Sequence, residues 1–303
     1  MAARLYNPET ANPNHPEVAV IWLNHLGSSV HTDTGRDAAA FANVLGRRVL
    51  AVDRPGSGYS RPGQGVFLGK HYPEAFRRLV RREVAPILHA EGIEGTVVAG
   101  RSAGGVGAIV MAAVCRDILS PWGVHAQEPV GWRAVELTQG KKMYEDYGAL
   151  QDRLLEENPD LERPEPNELV GLEAARRRWT IKLHRLLDYT NSRHAFALPY
   201  SLAGALYIAR AQPETYLDVR FAETSLAGDP LSIAKVGRLL QQARPDAGGG
   251  APIHVETVPN TVHTSFDRRN FSAGHLAEAV DLAIRYRDPL PPNPDRVSGI
   301  YYY

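Results

Sequence analysis

The chain has a single cysteine, Cys115, among its 303 residues. An intramolecular disulfide is therefore excluded, and the chain is not one of the small secreted domains stapled by such bonds. The lone thiol stands in an apolar stretch, Ile109-Val110-Met111 to Val114, and reads as a small buried hydrophobe. Net charge is lacking too: Lys and Arg together number 34, as do Asp and Glu. No overall field then favours nucleic acid or an anionic membrane as a partner. The one basic run, Arg176-Arg177-Arg178, reads as a solvated helix face. No stretch of 18 apolar residues occurs, so no membrane span is expected. The N-terminal stretch lacks an apolar core of signal-peptide length, and the expectation is a cytoplasmic protein. Histidine and cysteine never cluster at ligand spacing and no H-E-x-x-H occurs, so neither a metal nor a cofactor is expected.

What is present is an alternation. Short apolar runs lie at Val18 to Leu23, Val49 to Val52 and Thr96 to Ala99, each bounded by turn residues. Runs of this length read as parallel strands buried on both faces. Between them, residues 37–45 and 72–91 carry helical periodicity. In the second, Phe76, Leu79, Val80, Ile87 and Leu88 form an apolar stripe with arginines between. Strand, helix, strand in succession implies an α/β fold with right-handed crossovers. The rhythm lapses after about residue 130 and resumes at Leu217–Phe221 and Ile253–Val258. The stretch between is helical, which reads as a cap inserted at 136–215 into a core of 1–135 and 216–290. Residues 1–16 read as an irregular lead-in and 291–303 as a poorly ordered tail.

The segment Val97-Val98-Ala99-Gly100-Arg101-Ser102-Ala103-Gly104-Gly105 holds the pattern G-x-S-x-G. Alone the pattern is common. Here an apolar strand runs into it and a helix of small residues leaves it, the context of a nucleophile elbow. The turn must be so tight that Gly100 and Gly104 leave no room for a Cβ and Ser102 takes strained dihedrals. The departing helix aims its N-terminal amides at the site. The Ala103 N–H is placed to hold an oxyanion. A phosphate-binding loop is the rival for a glycine-rich turn, but no G-x-x-x-x-G-K-[ST] occurs and no G-x-G-x-x-G opens the first βα unit.

With this elbow the chain resembles the α/β-hydrolase superfamily, in its capped, serine-nucleophile branch of proline iminopeptidases, esterases and perhydrolases. Trp22-Leu23-Asn24-His25-Leu26-Gly27-Ser28-Ser29 resembles the loop that supplies the second oxyanion donor, which by register is the Leu26 N–H. Asn24-His25 replaces the usual His-Gly, so a side chain at His25 stands beside the hole and becomes a candidate substrate contact. Asp53-Arg54-Pro55-Gly56-Ser57-Gly58-Tyr59-Ser60 resembles a structural loop of the family, in which Asp53 braces rather than reacts.

A serine hydroxyl needs a base and the base needs an orienting acid. The fold's chain order is nucleophile, acid, histidine. Of the 11 histidines, His263 follows the last strand and takes the base position. His254 lies inside that strand, His275 in a helical stretch and His194 in the cap. Asp229, in Gly228-Asp229-Pro230, resembles the turn that carries the acid in many members. Glu128, after the strand that follows the elbow helix, is the alternative acid, with Glu223 behind it. Arg101, next to the nucleophile, is a candidate contact for an anionic substrate group.

The resemblance thus implies an α/β-hydrolase fold and a hydrolase of a small-molecule ester, thioester or amide. An acyltransferase or a cofactor-free perhydrolase would use the same residues, and a weakly catalytic binding homologue is the third alternative. The partner expected is a small-molecule substrate, with no nucleic acid and no membrane.

Overall fold

A computed structural model gives the fold. It describes residues 2–12, 14–23, 25, 28–58, 60, 72–129, 200–225, 230–244 and 250–287. Strands are β1 (Ala3–Tyr6), β2 (Val18–Leu23), β3 (Val49–Val52), β4 (Gly95–Arg101), β5 (Pro121–Gln127), β6 (Tyr216–Thr224) and β7 (Ile253–Val262). Helices are α1 (Asp33–Leu45), α2 (Tyr72–Leu79), α3 (Ala85–Ala90), α4 (Ala103–Val114), α5 (Arg116–Leu119), α6 (Tyr200–Ala211), α7 (Pro230–Ala243) and α8 (Arg269–Arg287).

The strands form one sheet in the order β1-β3-β2-β4-β5-β6-β7. Every pairing is parallel except β1 with β3. The apolar runs read from the sequence are its central strands. They are continuous because both faces are covered. Ile21, Leu23, Val98, Val124 and Val219 face a layer that includes α2, α4, α6 and α7. Val20, Trp22, Val97 and Ala99 face α1 and α8. Trp22 meets the Phe41 ring edge-on at 4.8 Å, a geometry worth about 1 kcal/mol beyond burial.

Residues 1–16 depart from the irregular lead-in expected of them. Ala3–Tyr6 pairs antiparallel with β3, Ala3 opposite Val52 and Tyr6 opposite Val49. The sequence hid this strand because ARLY is only 4 residues long and pairs at one edge.

Helix α4 carries no polar face: Ala103 to Ala113 are all buried. A helix apolar all round must be enclosed, and here sheet, α2 and α6 enclose it. Gly204 of α6 lets the two helices approach, since a Cβ there would reach 3.0 Å from Ile109 Cγ2. Ala205, Ile208 and Ala209 join the same core. The described end of the stretch read as a cap, from Tyr200 on, is thus a packing layer of the main domain. The remainder, 136–199, lies outside the described residues, as do 291–303. Among the described residues no helix is long and apolar enough to cross a membrane.

Chain direction places the site. From β2 the chain moves to β3 on one side; from β4 it moves to β5 on the other. Adjacent parallel strands whose connections diverge open a crevice beyond their C-terminal ends. Leu23 pairs with Gly100 at that edge, and Ser102 follows directly.

Toward β5 and β6 the sheet face under α8 turns charged. Asp218 of β6 binds His125 Nδ1 at 2.6 Å, His254 Nδ1 at 2.8 Å and Arg220 Nε at 3.0 Å. Gln127 reaches His125 Nε2 at 2.9 Å and the Ser272 carbonyl at 3.1 Å. Arg220 also pairs with Glu278 and donates to His275 Nδ1. Burial alone would push the Asp218 carboxyl up; hydrogen bonds with His125 and His254 and the Arg220 charge hold it well below the usual range. His275 is lowered to about 4 by burial and by Arg220. His125 is lowered by burial, while its bond with Asp218 raises His254.

Acid should therefore weaken the fold through these histidines. Below the ordinary histidine pKa of 6.5 the unfolded chain protonates His275, whereas the folded chain resists until about 4. The unfolded state then binds more protons, so stability drops as the pH falls through that window. His125 acts with the same sign. The raised His254 contributes fully below its unfolded pKa and loses that contribution only at higher pH. Denaturant midpoints measured from about pH 7 to about pH 4.5 should fall, and His275→Gln should flatten part of the slope. An identical slope in the variant would contradict this reading.

Candidate active site

The elbow forms where β4 meets α4. Ser102 has φ 53° and ψ −122°, outside the regions open to an L-residue. Its backbone N–H donates to the Gln127 carbonyl at 2.7 Å. Gly100 is required here because a Cβ would run into the carbonyl group of Gly104. The approach that excludes a Cβ at Gly100 is thus made by the backbone of Gly104. The α4 amides open onto Ser102, and Ala103 N–H is the first of those that no intrahelical carbonyl can satisfy.

The end of β5 repeats the device. Glu128, the residue after that strand, has φ 51°, and its N–H donates to the Arg220 carbonyl at 2.7 Å. Arg101 and Gln127 are register partners, so Ser102 and Glu128 leave neighbouring strands side by side. Non-glycine residues with positive φ are uncommon and concentrate at functional sites. Two of them here follow adjacent strands at one sheet edge.

His263 begins the 3-10 turn His263–Asp267 that follows β7. Its Nδ1 lies 2.9 Å from Glu128 Oε2. The Glu128 side chain is 0% exposed and that of His263 16%. Two more donors hold the carboxylate: Ser225 Oγ reaches Oε2 at 3.0 Å and the Ala222 N–H reaches Oε1. Both come from the end of β6, the strand between β5 and β7. A buried carboxylate is tolerated only when its oxygens are satisfied in this way.

The carboxylate in contact with His263 is that of Glu128, the alternative acid of the sequence reading. Asp229 lies outside the described residues. Glu223 is exposed and its Oε2 accepts from the Asn260 N–H at 2.6 Å, a brace for the β7 loop. His254 and His275 belong to the charged layer under α8. Leu26 is outside the described residues; His25 is half-buried and its carbonyl accepts from Ser28 Oγ at 3.1 Å. Asp53 braces, as expected: its Oδ1 accepts from the Val30 N–H at 2.8 Å. Cys115 is buried, and burial pushes its thiol up to about 12, far from nucleophilic use.

Arg101 departs from its expected place against substrate. It is 4% exposed, and its guanidinium lies 3.1 Å from Asp267 and 3.9 Å from Asp37. Nothing in the sequence marked this partnership, whose members are far apart along the chain.

The dihedrals of Ser102 carry a stability consequence. A residue held in a sparsely populated region costs about 1–3 kcal/mol, and glycine escapes that cost. Ser102→Gly should therefore be more stable than Ser102→Ala by about 1 kcal/mol or more, the reverse of the usual order. Chemical denaturation of the two variants checks it, and Ser102→Ala being the more stable would contradict it.

No protein-family model matches the sequence, and no curated protein matches it. Solved structures do. A bacterial membrane phospholipase A, described as a virulence factor, superposes with a TM-score of 0.56 at 16% identity, over 93% of this chain and 86% of that one. Monoglyceride lipase from Saccharomyces cerevisiae gives 0.54 at 16%, over 93% and 91%. Proline iminopeptidase from Mycobacterium smegmatis gives 0.54 at 15%, over 93% and 95%. Sheet order, crossover reversal and elbow agree with these likenesses: the chain has the α/β-hydrolase fold.

Proposed function

We propose that the chain is a serine hydrolase that cleaves an ester, thioester or amide of a small molecule through Ser102, His263 and Glu128. The observation that carries the reading is the 2.9 Å contact between His263 Nδ1 and the buried Glu128 carboxylate, at the sheet edge where Ser102 stands. The neighbours named as a phospholipase, a lipase and a peptidase support the reaction class without specifying it.

Glu128 keeps the proton of neutral His263 on Nδ1, which leaves Nε2 as the base. Ser102 Oγ attacks the carbonyl carbon as its proton passes to Nε2. The tetrahedral oxyanion forms against the Ala103 N–H, with the Leu26 N–H as second donor by register; loss of one such donor costs about 3 kcal/mol. The intermediate collapses as the imidazolium returns its proton to the leaving alcohol, thiol or amine. Water then attacks the acyl-enzyme with the same base, and the carboxylic acid departs as Ser102 regains its proton. Glu128 stays ionised and stabilises the imidazolium at each stage.

A fluorophosphonate probe should label Ser102, and Ser102→Ala should lose both labelling and turnover of short p-nitrophenyl esters. Absence of both labelling and turnover in the unmodified chain would sink the proposal. Glu128→Gln should lower kcat by roughly 10³–10⁴ through loss of the correct tautomer. A loss of that size in Asp229→Asn, with Glu128→Gln still active, would give the acid role to Asp229.

A further inference from the structure

We propose that Arg101 is a positioning residue, which sets His263 relative to Ser102 by tying the last residue of β4 to the turn that starts at His263. This rests on the hydrolase reading above. Arg101 Nη1 donates to the Phe266 carbonyl at 2.6 Å, and Nε pairs with Asp267 at 3.1 Å. Both acceptors belong to the His263–Asp267 turn. The backbone of Arg101 leads directly into Ser102. One buried side chain therefore joins the segments that carry nucleophile and base, Arg101 and Phe266 lying 165 residues apart.

The tie matters because the sheet connects His263 to Ser102 only through intervening strands. Its last strand pair before the turn is Thr224 with Val262, and between β7 and β4 stand β5 and β6. Every small change in twist between those strands would move the imidazole against the serine. The guanidinium bypasses them. Its planar fork fixes a carbonyl and a carboxylate in one orientation, which a lysine ammonium cannot do. Its far side is anchored by Asp37 of α1 at 3.9 Å, and Asp37 in turn accepts from Arg269 Nε at the start of α8 at 3.1 Å. Phe266 is fully buried against the rings of Phe271 and His275, at 5.3 and 6.0 Å. The turn is thus held from both sides. A buried guanidinium is a poor space filler, since its desolvation costs several kcal/mol; what it adds here is direction.

A mutant cycle with His263 separates positioning from simple support of the fold. The readout is the second-order rate of Ser102 labelling by a fluorophosphonate, on the full chain, well below the melting temperature of each variant. With His263 present, Arg101→Met should slow labelling about tenfold to a hundredfold, the size expected for a misplaced catalytic group. In the His263→Ala background the same change should alter the residual rate by less than about twofold, because the group being positioned is gone. Arg101→Lys should recover part of the rate. Equal losses in both backgrounds, or no loss with His263 present, would overturn the proposal. Asp267→Asn, which removes one arm of the tie, should show a smaller loss with the same dependence on His263; should Arg101→Met fail to fold, this variant decides. Absence of Ser102 labelling in the unmodified chain would instead overturn the hydrolase reading itself.

Discussion

Glu128 Oε2 accepts from His263 Nδ1 at 2.9 Å inside the protein, with the carboxylate wholly removed from water. A buried anion with no partner would be protonated or would unfold its surroundings. Ser225 and the Ala222 amide supply further donors, so the charge is tolerated. In return it meets the imidazole on its Nδ1 side. Three strand ends converge on this carboxylate: β5 provides it, β6 donates to it and β7 delivers the imidazole. Ser102, leaving β4 beside it, completes the arrangement. Backbone strain at both Ser102 and Glu128 accompanies the placement. Each residue turns sharply off its strand and is pinned by its own N–H to the terminal region of the next one.

The sheet and the elbow are legible in the sequence. Buried parallel strands declare themselves as short apolar runs because both faces of the sheet are covered. The elbow is legible because it is local: a strand, a Gly100 that must lack a Cβ, a serine and a helix start lie within a few residues. The position of His263 directly after the last strand is legible because that strand begins in a readable run, Ile253–Val258. The edge strand β1 was not, since four residues without alternation carry no period. The carboxylate that meets His263 was not either. Glu128 and Asp229 both satisfy the chain order, and the contact of Glu128 with His263 joins residues 135 apart in sequence. Arg101 illustrates the same limit. Adjacent to the nucleophile in sequence, it suggested a substrate contact, whereas its partners lie in a turn far along the chain.

The charged layer beneath α8 lies directly under this edge. Gln127 and Arg220, whose carbonyls receive the N–H groups of Ser102 and Glu128, also send their side chains into it. The strained turns therefore stand on strands locked by Asp218 and its histidines rather than by apolar contacts alone. Polar networks of this kind confer rigidity through the members whose hydrogen bonds are met. Rigidity at the ends of β5 and β6 is what the proposed reaction asks for, because a general base works only at hydrogen-bond reach of its proton.

A crystal structure of the chain after reaction with a fluorophosphonate tests the central claim most directly. The account requires phosphorus bonded to Ser102 Oγ, a phosphoryl oxygen against the Ala103 N–H, and the Glu128 carboxylate still within hydrogen-bond distance of His263 Nδ1. An adduct on another residue, or a carboxylate other than Glu128 on that nitrogen, would contradict it.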